Sequence, residues 1–141
     1  MKKSYETMKL FYQNVGKLFY AVAYADKVVR EEEIVELKKV IETVWLPLED
    51  TEDEFGMDNA FNIEFMFQYL NDNKESAEQC FKDFQLYAKA NKTMFSEYII
   101  EITINTCIAI ADSFAGTNKA EKKMIDNLSD CLYSLNVSVK E

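Results

Sequence analysis

The sequence predicts an all-α protein: a single-domain bundle of about six helices that contains two pseudo-repeated helical hairpins. Apolar residues recur every three or four positions along most of the chain, as they do on the buried face of a helix. Glycine and proline, which interrupt helices, occur only three times and once in 141 residues. Because 48% of the residues are hydrophobic, a chain of this length can bury one core. We therefore predict one domain over residues 1–141.

The first hairpin is predicted at residues 4–46. The apolar positions of its first helix, which covers Ser4 to Ala25, share one helical face: Met8, Phe11, Val15, Leu18, Phe19 and Val22. Gly16 lies inside this helix at a cost of about 1 kcal/mol relative to alanine, which indicates that another helix crosses close to it. The same apolar spacing predicts a second helix, which we expect Pro47 to end.

Two central helices are predicted at residues 58–91, after an acidic loop. Residues 46–58 combine six acidic residues with a proline and a glycine, a composition typical of a solvated loop. Residues 60–70 are apolar on nearly all sides, which predicts a helix packed between others at the centre of the bundle. Ser76 followed by Gln79 is a capping-box pattern and predicts the start of the next helix.

The second hairpin is predicted at residues 96–136. Ser96 can cap a helix over residues 97–112, although β-branched residues there partly alternate with polar ones, which is also typical of a strand. We favour the helix because a lone strand would leave its backbone groups without partners. Asn118 followed by Glu121 predicts a further capping box and the last helix.

The net charge and the cysteines of the chain limit the kinds of molecule that the protein is expected to bind and the cellular compartment in which it is expected to occur. A net charge of -9 opposes binding to the phosphate backbone of nucleic acid and to anionic membrane surfaces. The first residues lack the uninterrupted apolar stretch of a signal peptide, and no apolar run is long enough to span a membrane. Cys80, Cys107 and Cys131 are widely spaced at apolar helical positions, so we expect reduced thiols in a cytoplasmic protein.

A weak internal repeat relates the two hairpins. When the fifth and sixth helices are aligned with the first and second, Asp26 coincides with Asp112 at the end of an apolar helix. After the loops, of which the second is two residues longer, Glu33 coincides with Glu121 in the first turn of the next helix. The repeated unit is a helix, an Ala-Asp step, a short loop and a glutamate.

This unit resembles the tellurite-resistance TerB-like family, whose helical hairpins carry an Ala-Asp-Gly step followed by a glutamate at the next helix start. The resemblance lies in "YAVAYADKVVREEEIVEL" and "CIAIADSFAGTNKAEKKMIDNL". Lys27 stands where the family prefers glycine, and Gly116 is displaced from the position directly after the aspartate. The resemblance implies an all-helical domain in a family linked to metal and stress responses and suspected of binding divalent cations through acidic residues.

The acidic residues carried over from the resemblance support two interpretations. They are Asp26, Glu33, Asp112 and Glu121, and as oxygen ligands they could bind Ca²⁺ or Mg²⁺. The spacing is not that of an EF-hand, because Lys123 stands where its last glutamate would be. In the structural interpretation the two glutamates are capping-box members three residues after the cap positions Arg30 and Asn118.

The sequence bears on three classes of function: an enzyme, an accessory protein that binds a cation or a partner, and a pure interaction module. Histidine is absent, which excludes histidine-based triads, and no phosphate loop or nucleophile motif occurs, so we expect no catalysis. The leading hypothesis is a TerB-like accessory protein, related to stress response, that binds a divalent cation or a protein partner. The alternative is a pure protein-interaction module, with self-association as one form of it, whose acidic residues only cap helices.

Overall fold

The computed structural model describes residues 4–48, 58–114 and 116–140. Within these ranges the chain forms six α-helices, so the predicted all-α fold is confirmed. Their bounds are Tyr5–Ala23 (α1), Glu31–Val40 (α2), Asn62–Asp72 (α3), Ala77–Ala90 (α4), Glu97–Asp112 (α5) and Lys119–Lys140 (α6). Short 3-10 turns occupy Asn59–Phe61 and Lys92–Met94. The predicted acidic loop falls mostly on residues 49–57, which lie outside the described residues.

Serine side chains begin three of the helices. The hydroxyl oxygens of Ser4, Ser76 and Ser96 each accept a hydrogen bond from the backbone N–H three residues later, at 3.1 to 3.2 Å. Each bond satisfies one of the amide groups that a helix start leaves without an intrahelical partner. The predicted helix starts at Ser76 and Ser96 are therefore confirmed, and residues 97–112 form a helix and not a strand.

Helix α2 does not end before Pro47 as predicted. It continues through a π-helical segment, Ile41–Trp45, into a last turn, Leu46–Leu48, that contains the proline. The N–H of Leu46 donates to the carbonyl of Ile41, five residues earlier. Proline cannot donate to the carbonyl four residues before it, and the wider turn accommodates this loss within a continuous helical path.

The central element of the bundle is α1. It contacts α3, α4 and α5, and every residue from Leu18 to Ala23 is fully buried. The expectation that residues 60–70 form a helix packed between others is wrong. Phe65 and Tyr69 of α3 are 55% and 61% exposed, so α3 buries only one face. The prediction failed because the exposed face of α3 also carries apolar residues, so that its sequence is apolar on nearly all sides although only one face is buried.

Gly16 lies where α1 crosses α3, as its position inside the first helix predicted. A Cβ atom at this position would lie 2.7 Å from the carbonyl oxygen of Ile63 and 3.0 Å from Cβ of Met66. Because the nearest atom belongs to the backbone, the two helices can approach this closely only without a side chain at residue 16.

Trp45 joins α2 to the rest of the core. Its ring packs against Phe11, Tyr12 and Phe19 of α1. Its indole Nε1–H donates a hydrogen bond of 3.2 Å to the buried hydroxyl of Thr106 on α5. One ring therefore connects α1, α2 and α5. Among the helices described, none combines the length and the apolar character needed to cross a lipid bilayer.

Candidate functional site at the loop junction

The loop between α1 and α2 lies against the loop between α5 and α6. The side-chain Nδ2 of Asn118 donates a hydrogen bond of 2.7 Å to Oδ2 of Asp26, across 92 residues of sequence. Both repeated loops therefore lie at the same end of the bundle. We call this site the loop junction and define it by Asp26, Arg30, Glu33, Phe114, Asn118 and Glu121.

Asp26 is the residue on which donors from both loops converge. Its Oδ1 accepts from the backbone N–H of Val28 at 3.2 Å, and its Oδ2 accepts from Arg30 Nη1 at 2.9 Å as well as from Asn118. A carboxylate just after a helix end is disfavoured by the helix dipole. The guanidinium four residues later and the amide of the other loop offset that cost.

Arg30 extends the contact between the loops. Its guanidinium carbon lies 4.8 Å from the centre of the Phe114 ring, which belongs to the second loop. A cation over an aromatic face at this distance is an attractive contact. The side chain of Arg30 therefore binds Asp26 in its own loop and Phe114 in the other.

The two departures from the Ala-Asp-Gly step coincide with left-handed backbone. Lys27, which follows Asp26, has a φ of 70°, a conformation that favours glycine. Its ammonium group lies 2.9 Å from a carboxylate oxygen of Glu78 on α4. In the second loop the left-handed residue is Gly116, with a φ of 85°. Among its described residues each loop thus contains one left-handed residue, at different distances from the aspartate.

Glu121 forms the reciprocal capping box that the sequence predicted, whereas Glu33 forms one half of such a box because the arginine at its cap position has no acceptor. Oε1 of Glu33 accepts from the backbone N–H of Arg30 at 2.7 Å, and Oε1 of Glu121 accepts from that of Asn118 at 3.1 Å. The reciprocal bond is made by the Asn118 side chain, whose Oδ1 accepts from the backbone N–H of Glu121 at 2.9 Å. Both glutamates therefore fix helix starts at the loop junction.

Burial makes this pair of glutamates unusual, because each is only 1% exposed. Burial raises the pKa of Glu33 to about 8, and a hydrogen bond with the Glu121 side chain acts in the same direction. Oε2 of Glu121 accepts no hydrogen bond from an amide or a hydroxyl in the part of the chain that the structure describes. A hydrogen bond between two carboxyl groups requires a proton on one of them, and the raised pKa assigns this shared proton to Glu33.

The four acidic residues carried over from the resemblance are not brought together as one set of ligands. Asp112 is exposed and accepts a hydrogen bond from the hydroxyl of Thr117 in its own loop. Asp26 is paired with the Arg30 cation. Among the described residues, no group of three or more acidic or cysteine side chains could hold a metal ion, whereas Ca²⁺ takes six to eight oxygens. The junction does not fit an all-protein cage, and the metal site stays a prediction.

The contact between Arg30 and Phe114 is the part of the loop junction that the sequence did not predict; of the two residues, only Arg30 was identified, as a helix-start position. Their contact joins two loops far apart in sequence, and neither residue belongs to the repeated motif. The internal repeat places the two loops at equivalent positions. This predicts that the loops have similar local structures, but it does not predict that they contact each other.

The fold and the junction define a class of protein: an all-helical bundle in which the loop between α1 and α2 contacts the loop between α5 and α6. Comparison of the chain with protein-family models, with curated proteins and with solved structures finds no match in any of the three. The TerB-like resemblance therefore rests on the two stretches quoted above.

Proposed function

We propose that this protein is a non-catalytic, TerB-like accessory module of stress response that acts by binding a protein partner. The observation that carries the proposal is the engagement of Asp26 by donors from both loops, namely Val28, Arg30 and Asn118. An acid used in this way connects the hairpins and has little capacity left for a ligand. The partner then binds the outer surface of the bundle, and the loop junction stabilises the arrangement of the helices that form this surface.

The cysteines support the absence of catalysis and a reducing, cytoplasmic compartment. All three are free thiols. Burial raises the pKa of Cys80 to about 11 and also raises the pKa of Cys107 and Cys131. Because the thiolate is the nucleophile, these thiols are poor candidates for covalent chemistry.

A second candidate function is cation binding at Glu33 and Glu121. The specific observation in its favour is Oε2 of Glu121, a buried oxygen without a permanent donor. A Mg²⁺ ion, which usually keeps several waters, needs fewer protein oxygens than Ca²⁺ and could take the place of the shared proton. The two glutamates would hold the ion, which would neutralise both carboxylates.

Thermal melting of chelator-stripped protein, with and without millimolar Ca²⁺ or Mg²⁺, separates the two candidates. A cation that binds only the folded state raises the melting temperature by mass action. The variant Glu33→Gln, Glu121→Gln removes the two buried carboxyl groups, and Glu31→Gln, Glu32→Gln removes two carboxyl groups from exposed positions of α2. We expect both ions to shift the wild type and both variants equally.

A rise in melting temperature that occurs in the wild type and in the exposed-charge variant, but not in the buried-charge variant, would contradict the structural role of the acids. It would make the junction a cation site and the second candidate the function.

A further inference from the structure

We propose that the groove between α4 and α6 binds an acidic amphipathic helix of a partner protein. This inference rests on the proposed function, because it names the partner surface of the interaction module. The groove has a volume of about 750 Å³ and is lined by residues of both helices.

The dimensions of the groove suit a helix of about three turns. Its lining on α4 runs from Glu78 to Lys89, and its lining on α6 runs from Ala120 to Ser134. At 1.5 Å per residue these stretches are about 16 and 21 Å long. A partner helix that lies along the groove would meet it with residues spaced three and four apart.

The floor of the groove is apolar and adaptable. Phe81 of α4 and Met124 and Cys131 of α6 line it, and all three are buried or half-buried. Methionine is flexible and polarisable, which suits a surface that packs against the side chains of another protein. These residues would contact the apolar face of the partner helix.

The charges of the groove select an acidic partner. Lys82, Lys89 and Lys123 line it and are exposed, and none of them forms an ion pair with a described residue. Of the two acidic residues in the lining, Glu78 is already paired with Lys27, which leaves Asp130. The groove therefore carries a net positive charge on a protein whose total charge is -9.

Charge complementarity decides which helix can dock here. Glutamates or aspartates beside the apolar residues of the partner would face the three lysines, whereas a basic helix would be repelled. The remainder of the protein surface, being acidic overall, would repel the same acidic helix and so direct it to the groove.

The test is selection of binders from a displayed library of random peptides of about 16 residues, a length that covers the groove at 1.5 Å per residue. The full chain is the target. Enriched peptides are synthesised and titrated against the wild type, against Met124→Glu, and against the triple variant Lys82→Glu, Lys89→Glu, Lys123→Glu. The matched control reverses three exposed lysines that do not line the groove: Lys38, Lys39 and Lys119. Circular dichroism verifies that each variant is folded.

We expect enriched peptides to combine apolar residues at helical spacing with flanking acids. Their affinity should fall about tenfold or more in the groove variants, since charge pairs in close contact strengthen an interface, and should stay unchanged in the control. Acidic peptides that bind all variants equally would place the binding surface elsewhere, so that the groove inference fails while the interaction module stands.

Three other results would overturn the inference. Enrichment of basic peptides, or of apolar peptides without acids, would contradict the partner chemistry. Sedimentation of the wild type as a dimer that Met124→Glu dissociates would make a second copy of the chain the occupant. A library without any enriched binder would remove the groove as a peptide site, and the cation melting experiment would still decide the proposed function.

Discussion

Glu33 is a titratable side chain in a place where water does not reach it. Its carboxyl group is surrounded by the Arg30 cation, by Asp26 beyond that cation and by the facing carboxyl group of Glu121. Burial and Glu121 raise the pKa of Glu33, and the backbone N–H and the charge of Arg30 act against them. The balance raises the pKa of Glu33 and so favours its protonated form at pH values where an exposed glutamate would be ionised.

The contribution of Glu33 to the stability of the protein therefore falls as pH rises. Between the ordinary glutamate pKa of 4.5 and the folded-state value of about 8, the folded protein keeps a proton that the unfolded chain releases. Stability falls with pH wherever the folded state binds more protons. Glutamine at position 33 can accept from Arg30 and donate to Glu121 at any pH.

We therefore expect Glu33→Gln to gain stability relative to the wild type as pH rises from 4.5 to 8, by at least about 1 kcal/mol, since one pKa unit corresponds to about 1.4 kcal/mol. Urea denaturation across this range measures the difference. Glu32→Gln, an exposed neighbour on the same helix, is the control and should show no such trend. A difference between wild type and Glu33→Gln that does not change with pH would refute the shared proton.

At the scale of secondary-structure elements, the sequence correctly predicted the features that depend only on residues close together in the chain, such as helix starts. The caps at Ser76, Ser96 and Asn118 follow from side chains within three residues of the helix starts, so their patterns could be read locally. The bond between Asp26 and Asn118 spans 92 residues and has no local signal. Predicting this bond requires knowing that α1 is the central helix. The apolar composition of residues 60–70 instead placed that segment at the centre.

Because α1 and α3 cross at Gly16, the sign of the stability change on replacing this glycine by alanine tests how closely the two helices pack. At an open helical position, replacement of glycine by alanine stabilises a helix by about 1 kcal/mol. At Gly16 the new Cβ would meet the carbonyl oxygen of Ile63, an atom that cannot move without the backbone of α3. We expect Gly16→Ala to lower the free energy of unfolding by about 1–3 kcal/mol, as overpacking does. Chemical denaturation measures it, and a gain in stability would show that the helices are not in backbone contact.

At the scale of the whole molecule, α1 prevents the hairpins from being independent units. It is the first helix of the predicted first hairpin, but its main contacts are with α3, α4 and α5. The loop junction adds a second connection, because Asp26 is bonded to Asn118 of the second hairpin. The two halves of the predicted repeat are therefore connected both through the core around α1 and through the loop junction.

This shared core predicts a single cooperative unfolding transition, as is usual for one domain under about 150 residues. Trp45, the one tryptophan of the chain, reports the contact of α1, α2 and α5, whereas far-UV circular dichroism reports all helices. We expect the urea transitions from the two probes to coincide, and to shift together when Asp26→Ala removes the connection between the loops. Loss of tryptophan fluorescence before loss of helicity would contradict this cooperativity, because the first hairpin would then unfold while the remaining helices persist.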